Sequence, residues 1–70
     1  MTPRAAGIID ACRAARDALH LALAEAERAA AIPDLDPDDA AFTAARLDQL
    51  RKIAAGLERR ITETKQEPAP

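Results

Sequence analysis

The stretch Pro33-Asp34-Leu35-Asp36-Pro37 lies between two long segments rich in Ala, Leu and charged residues. Proline lacks an amide proton and keeps the residue before it out of the helical region, so Pro33 should end any helix in the first segment. Asp36 stands where a helix cap belongs, and Pro37 suits a first helical position. A connection of about five residues brings two helices side by side. The stretch therefore predicts an all-α, antiparallel two-helix hairpin.

The first helix has a start signal of its own, because Thr2 is followed by Pro3. A threonine cap before a proline at the first helical position is a common helix beginning. Strong helix formers continue from there to the turn. We predict a first helix over about 3–31 and a turn over 32–36.

The second helix begins with acidic residues, Asp38 and Asp39, which complement the positive end of a helix dipole. We predict this helix over about 37–64. The hairpin domain then covers residues 1–65. Residues 66–70 contain two prolines and no core residue, so they are expected to form a disordered tail.

Composition limits the classes of function. The chain has 70 residues, a net charge of −2 and one aromatic residue, Phe42. Aromatic side chains usually anchor ligand pockets and base-stacking surfaces, so no small-molecule substrate is expected. The charge balance provides no bulk attraction to nucleic acid or to acidic lipid, which argues against both as partners.

The short chain is expected to associate with protein. Its core should contribute only roughly 3–5 kcal/mol of stability. A single cysteine, Cys12, cannot form an internal disulfide, and Cys12 with His20 is too small a set to hold a metal, so no metal or cofactor is expected. Association is the remaining source of stability. We therefore expect the hairpin to be completed to a helical bundle by self-association or by a partner.

Helical periodicity of 100° per residue separates two apolar surfaces on the first helix. The main seam comprises Ile8, Cys12, Leu19, Leu23, Ala26 and Ala30. Beside it runs an alanine stripe of Ala11, Ala15, Ala18, Ala22 and Ala29, of which the first four are interface candidates. Small residues let another helix approach closely. The alternative is that alanine is present only because it is the best helix former.

The second helix has one apolar seam and a wider edge. The seam comprises Thr43, Leu47, Leu50, Ala54, Leu57 and Ile61. Most of its members are three or four residues apart, a heptad-like spacing that suits shallow-angle packing, as in coiled coils. Phe42 and Ile53 widen this face and are further interface candidates, as is Leu21 on the polar side of the first helix.

One cluster of polar residues on the first helix is a candidate binding site. Arg13, Arg16 and His20 share one side of the first helix and are weak candidates for an anion site. The alternatives are a solvated face, a carboxylate of a partner, and a nucleic acid or ligand. No residue has neighbours suited to nucleophilic catalysis, so the protein is predicted not to be an enzyme.

The architecture resembles that of several small hairpin proteins: RNA-regulating plasmid proteins of the Rop type, subunits of type III secretion needles and their chaperones, and small phage-structure proteins. The predicted function is a non-enzymatic interaction module, a structural or adaptor subunit of an assembly such as a phage particle or a secretion apparatus. The alternative is a small nucleic-acid-binding regulator. No segment is apolar enough to enter a membrane, and a single thiol fits the cytoplasm or a particle assembled inside the cell.

Overall fold

The computed structural model describes residues 1–66 as two α-helices joined by a short turn. Helix α1 spans Pro3–Ala30 and helix α2 spans Pro37–Gln66. The helices pack against each other along a rod whose principal Cα extents are 56 × 15 × 12 Å. Contacts join Arg16 to Glu58 and Glu27 to Arg51, so the helices run antiparallel. The predicted hairpin is confirmed.

The two helix starts differ although their sequences are alike. Thr2 Oγ1 accepts a hydrogen bond from the Ala5 amide at 3.1 Å and caps α1 as predicted. The Asp36 carbonyl accepts from the Ala40 amide at 2.8 Å. Within residues 1–66, however, the Asp36 side chain accepts no hydrogen bond, so the predicted side-chain cap of α2 is not formed.

Helix α1 ends at Ala30, one residue before its predicted end at residue 31. Ala31 follows the helix and still donates its amide proton to the carbonyls of the last turn. Asp34 adopts a positive φ of 62°, in the left-handed region that glycine, asparagine and aspartate adopt more readily than other residues. Proline followed by a left-handed residue is the pattern of a type II turn. This geometry reverses the chain within a few residues.

The end of α2 requires a correction. Gln66, predicted as the first residue of the tail, is the last residue of the helix. Thr64 is buried in the seam, and no proline follows before Pro68, so nothing stops the helix at residue 64. The rest of the predicted tail, residues 67–70, lies outside the described residues.

The core is a single seam between the helices. Every predicted seam residue of α2 is buried or half-buried, and Thr64 extends the seam toward the end of the helix. On α1 the prediction is less accurate. Ile9 is only 3% exposed and is more deeply buried than the predicted Ile8, while the predicted Ala30 is exposed.

The α1 seam follows an alternating spacing of four and three residues, which is the spacing that keeps one stripe facing a partner helix. Its members are Ala5, Ile9, Cys12, Arg16, Leu19, Leu23 and Ala26, all of them buried or half-buried. The predicted seam does not include Ala5, Ile9 or Arg16.

Candidate interaction surfaces

One long side of the hairpin carries the ion pairs that join the helices. Arg16 Nη1 donates to Glu58 Oε1 at 3.0 Å. Nearer the turn, Arg51 Nη2 lies 3.8 Å from Glu27 Oε1. Both ion pairs are partly exposed, so each contributes little to stability. They do show which residues of the two helices lie on the same side of the hairpin and at the same axial level.

Arg16 occupies a seam position and reaches out of it. Its side chain is 27% exposed, while its Nε is buried and has no hydrogen-bond partner among the described residues. Asp17 Oδ1 lies 3.7 Å from Nε. The hydrogen bond to Glu58, aided by the charges of Glu58 and Asp17, raises the pKa of Arg16 against the opposing effect of desolvation. The guanidinium therefore stays charged although its stem lies between the helices.

The predicted anion cluster is divided by this geometry. Arg16 reaches across to Glu58, whereas Arg13 and His20 are exposed on α1. The Arg16 guanidinium is thus already hydrogen-bonded to the Glu58 carboxylate of the same chain, which makes it less available to an anionic ligand. An anion site at these three residues remains a prediction.

Helical periodicity then assigns the other residues to sides. On α1, Arg16 lies about 30° and Glu27 about 50° to one side of the seam direction, and the alanine stripe lies about 100° to the other side. On α2, Arg51 and Glu58 lie about 80° to one side of the seam direction, and Phe42 and Ile53 lie about as far to the other. Since the paired residues share one side of the hairpin, the alanine stripe and the Phe42–Ile53 edge share the opposite side.

We name this second side the apolar face and define it by six residues: Ala11, Ala15, Ala18, Ala22, Phe42 and Ile53. Phe42 is 68% exposed and Ile53 is 46% exposed. Ala11, Ala15 and Ala18 are also exposed, and Ala22 is half-buried. The structure thus brings six of the seven interface candidates onto one surface, which sequence periodicity within each separate helix could not show.

The ion pairs also set the axial level of the face. Counting along the antiparallel helices from Arg51–Glu27 and from Glu58–Arg16 places Ile53 level with residues 21–25 of α1, beside Ala22. The same count places Phe42 level with the turn. Exposed Ile32 lies in that turn, and sequence analysis did not identify it as a surface residue of interest.

Leu21 and Cys12 lie away from the apolar face. Leu21 is 71% exposed on the side of α1 opposite the seam, so the hairpin separates it from the other interface candidates. Cys12 is a free, half-buried thiol in the seam.

Within residues 1–66, no group of three His, Cys, Asp or Glu side chains is close enough to hold a metal ion. Neither helix in that part of the chain carries an apolar run long enough to cross a bilayer. Comparison with known proteins found no matching family, no similar curated protein and no similar solved structure. The function is therefore inferred from the surfaces of the hairpin.

Proposed function

We propose that this protein is a non-enzymatic helical interaction module that serves as a structural or adaptor subunit of a larger assembly. The observation that supports this proposal is the apolar face, where Ile53 is exposed at one end of a flat row of alanines and Phe42 is exposed nearer the turn. Exposed apolar surface of this kind is typical of protein-binding sites. Most polar side chains of residues 1–66 are exposed, and four ion pairs join some of them.

The shape of the molecule supports the same proposal. The radius of gyration is 16.2 Å, against about 11 Å for a compact domain of this length. A rod of two helices has one internal seam and much outer surface. Such a rod is well suited to lie along another helical surface, as in a helical bundle.

The test is affinity capture of partner proteins by the tagged chain from the cells that encode it, quantified by mass spectrometry. The matched control is Ala18→Glu, which places one charge on the apolar face at an exposed position. We expect specific proteins, or further copies of the chain, to be enriched with the wild type and lost with the variant. Equal recovery with both proteins would refute the proposal.

The second candidate is a small nucleic-acid-binding regulator. The observation in its favour is that exposed Arg46 lies one helical turn from exposed Phe42, which combines a base-stacking ring with a phosphate-binding charge. The net charge of −2 opposes it. An electrophoretic shift assay at low salt discriminates the two candidates: the regulator requires a shift that Phe42→Ala and Arg46→Ala abolish, whereas the interaction module requires none.

A further inference from the structure

We infer that the apolar face is the docking site for an amphipathic helix of another protein, and that carboxylates flank the apolar stripe of that helix. This inference rests on the proposed function and gives the chemistry of the partner at the same surface. Two arginines that share the face with Ile53 carry it, Arg46 and Arg60.

Both arginines lie on the α2 half of the apolar face. By helical position, Arg46 and Arg60 are each within about 20° of Ile53 around the axis of α2. The three residues are seven positions apart in sequence, so they form one stripe along α2 with an isoleucine between two cations. All three are exposed. A partner that covers Ile53 along this stripe therefore also meets both guanidinium groups.

Within residues 1–66, neither of these guanidinium groups forms an ion pair. The positions three and four residues away from Arg46 hold no acidic residue. Glu63 is three residues from Arg60 but forms no ion pair with it. On the opposite side of the hairpin, by contrast, Arg16 and Arg51 each reach a carboxylate of the other helix. The cations of the apolar face are thus available to carboxylates from outside.

The shape of the face fits a helix. On α1, the alanine stripe repeats at the same seven-residue spacing, at positions 15, 22 and 29. Counting from the interhelical ion pairs places each of these alanines level with one residue of the α2 stripe. The α1 half is therefore low and the α2 half projects, which leaves a shallow groove parallel to both helices. A third helix can approach the small residues closely, and its own seven-residue repeat stays in register with the stripe.

The two cations define what the third helix must carry. Arg46 and Arg60 are fourteen positions apart, which is about 21 Å along α2. A partner helix meets both when its carboxylates are about four turns apart and apolar residues lie between them, over Ile53. The planar guanidinium fork matches a carboxylate and forms charge-assisted hydrogen bonds with it. Charge complementarity of this kind selects the partner and sets its register.

Other occupants match the face less closely. Between the levels of the two arginines, a second copy offers one flanking carboxylate within residues 1–66, Glu25, at the outer edge of α1. Binding to a lipid surface requires large apolar side chains that insert, and the face offers Phe42 and Ile53 beside alanines. A nucleic acid supplies phosphates but would find a single ring on which to stack.

The first experiment selects partner helices without assuming their sequence. The probe is a phage-displayed library of peptides of about three heptads, with Ala, Leu or Ile at the a and d positions and Glu, Gln or Lys at the flanking e and g positions. The bait is the full chain, and Ala18→Glu serves for counter-selection. We expect the wild type to enrich Glu at the flanking positions, and the charge-reversed double variant Arg46→Glu/Arg60→Glu to enrich Lys.

Two results of this selection would overturn the inference. One is a wild type that enriches no peptide relative to Ala18→Glu. The other is the same choice among Glu, Gln and Lys by the wild type and by the charge-reversed chain.

The second experiment uses two adjacent arginines as a matched pair. Arg60 lies on the face, and Arg59 is exposed about 100° away around α2. Fluorescence anisotropy measures the affinity of a selected acidic peptide at about 0.15 M salt, where distant charges are screened. Arg60→Glu should weaken binding by about tenfold or more, and Arg59→Glu by less than about twofold. Equal losses, with the helicity of both variants intact by circular dichroism, would show that only net charge matters and would overturn the inference.

The same proteins identify the other occupants. Sedimentation velocity of the chain alone would assign the face to a second copy if the wild type forms a dimer that Ala18→Glu dissociates. Flotation with vesicles of phosphatidylcholine and phosphatidylglycerol would assign it to lipid if the wild type binds and Ala18→Glu does not. Either result overturns the inference.

Failure of this inference is distinguishable from failure of the proposed function. A chain that shows no preference for Glu in the selection, and yet captures a host protein that Ala18→Glu loses, removes the acidic helix as the partner and leaves the interaction module standing. A chain that selects no helix, and recovers the same host proteins as Ala18→Glu, removes both.

Discussion

The seam between the helices and the apolar face have similar chemistry and different environments. The seam consists mostly of leucine and isoleucine, the face consists of four alanines with Ile53 and Phe42, and both follow helical periodicity. The seam residues Ile9, Leu47 and Ile61 are buried, whereas Phe42 and Ile53 on the face are exposed. In a two-helix rod each helix has only one neighbour, so only one apolar stripe on each helix is covered. The fold therefore covers one apolar stripe on each helix and leaves the other stripe exposed.

The largest expected effect comes from a seam substitution set against a face substitution. Leu47→Ala removes a buried side chain and should lower the free energy of unfolding by about 2–5 kcal/mol at every protein concentration. Ile53→Ala should change it by at most about 0.5 kcal/mol in dilute protein and more only where copies associate. Urea denaturation followed by circular dichroism, at two concentrations, measures both. Equal losses in dilute protein would remove the distinction between seam and face.

Two adjacent isoleucines sharpen the comparison on α1. Ile9 is in the seam and Ile8 lies half-buried between the seam and the apolar face. Ile9→Ala should cost about 2–5 kcal/mol, and Ile8→Ala should cost less, because it removes less contact. The same denaturation experiment applies. If Ile8→Ala were the more damaging change, the seam spacing assigned to α1 would be shifted by one residue.

A loss of about 0.5–2 kcal/mol is expected at the first helix start and a smaller one at the second. Thr2→Ala removes the side-chain oxygen that accepts from the Ala5 amide. Asp36→Ala removes no side-chain hydrogen bond seen in residues 1–66 and should stay within about 0.5 kcal/mol. Neither residue is part of the seam or the face, so the pair provides a baseline for both. Thermal melts of the two variants decide whether α2 depends on an Asp36 cap.

The smallest effect is expected where the seam itself contains a charge. Arg16→Met keeps the length of the side chain and removes the buried guanidinium nitrogen that lacks a partner. Glu58→Gln keeps the guanidinium and removes the carboxylate that binds it. Because the partly exposed Arg16–Glu58 pair contributes little and a methionine side chain can still pack in the seam, Arg16→Met should melt no lower than the wild type, and Glu58→Gln should melt slightly lower. The reverse order would show that the Arg16–Glu58 pair stabilises the hairpin.

The amino-acid sequence by itself determined the hairpin. The proline ring of Pro33 and of Pro37 fixes one backbone angle. Each helix start is encoded by two adjacent residues, Thr2-Pro3 for the first helix and Asp36-Pro37 for the second. The α2 seam was equally predictable, since its apolar residues recur at helical spacing with no charged residue among them. Local signals were less reliable at Asp36, whose residue type predicts a cap that its side chain does not form.

Tertiary structure alone decided what depends on both helices at once. Arg16 is part of the seam because its long stem packs there while its charge reaches Glu58 on the other helix, and no pattern within α1 predicts that partner. Likewise, periodicity orients residues about the axis of one helix, but it does not state how far the two helices are rotated relative to each other. The interhelical ion pairs supply that rotation. They place the alanine stripe and the Phe42–Ile53 edge on one side, and thereby turn two separate stripes into one face.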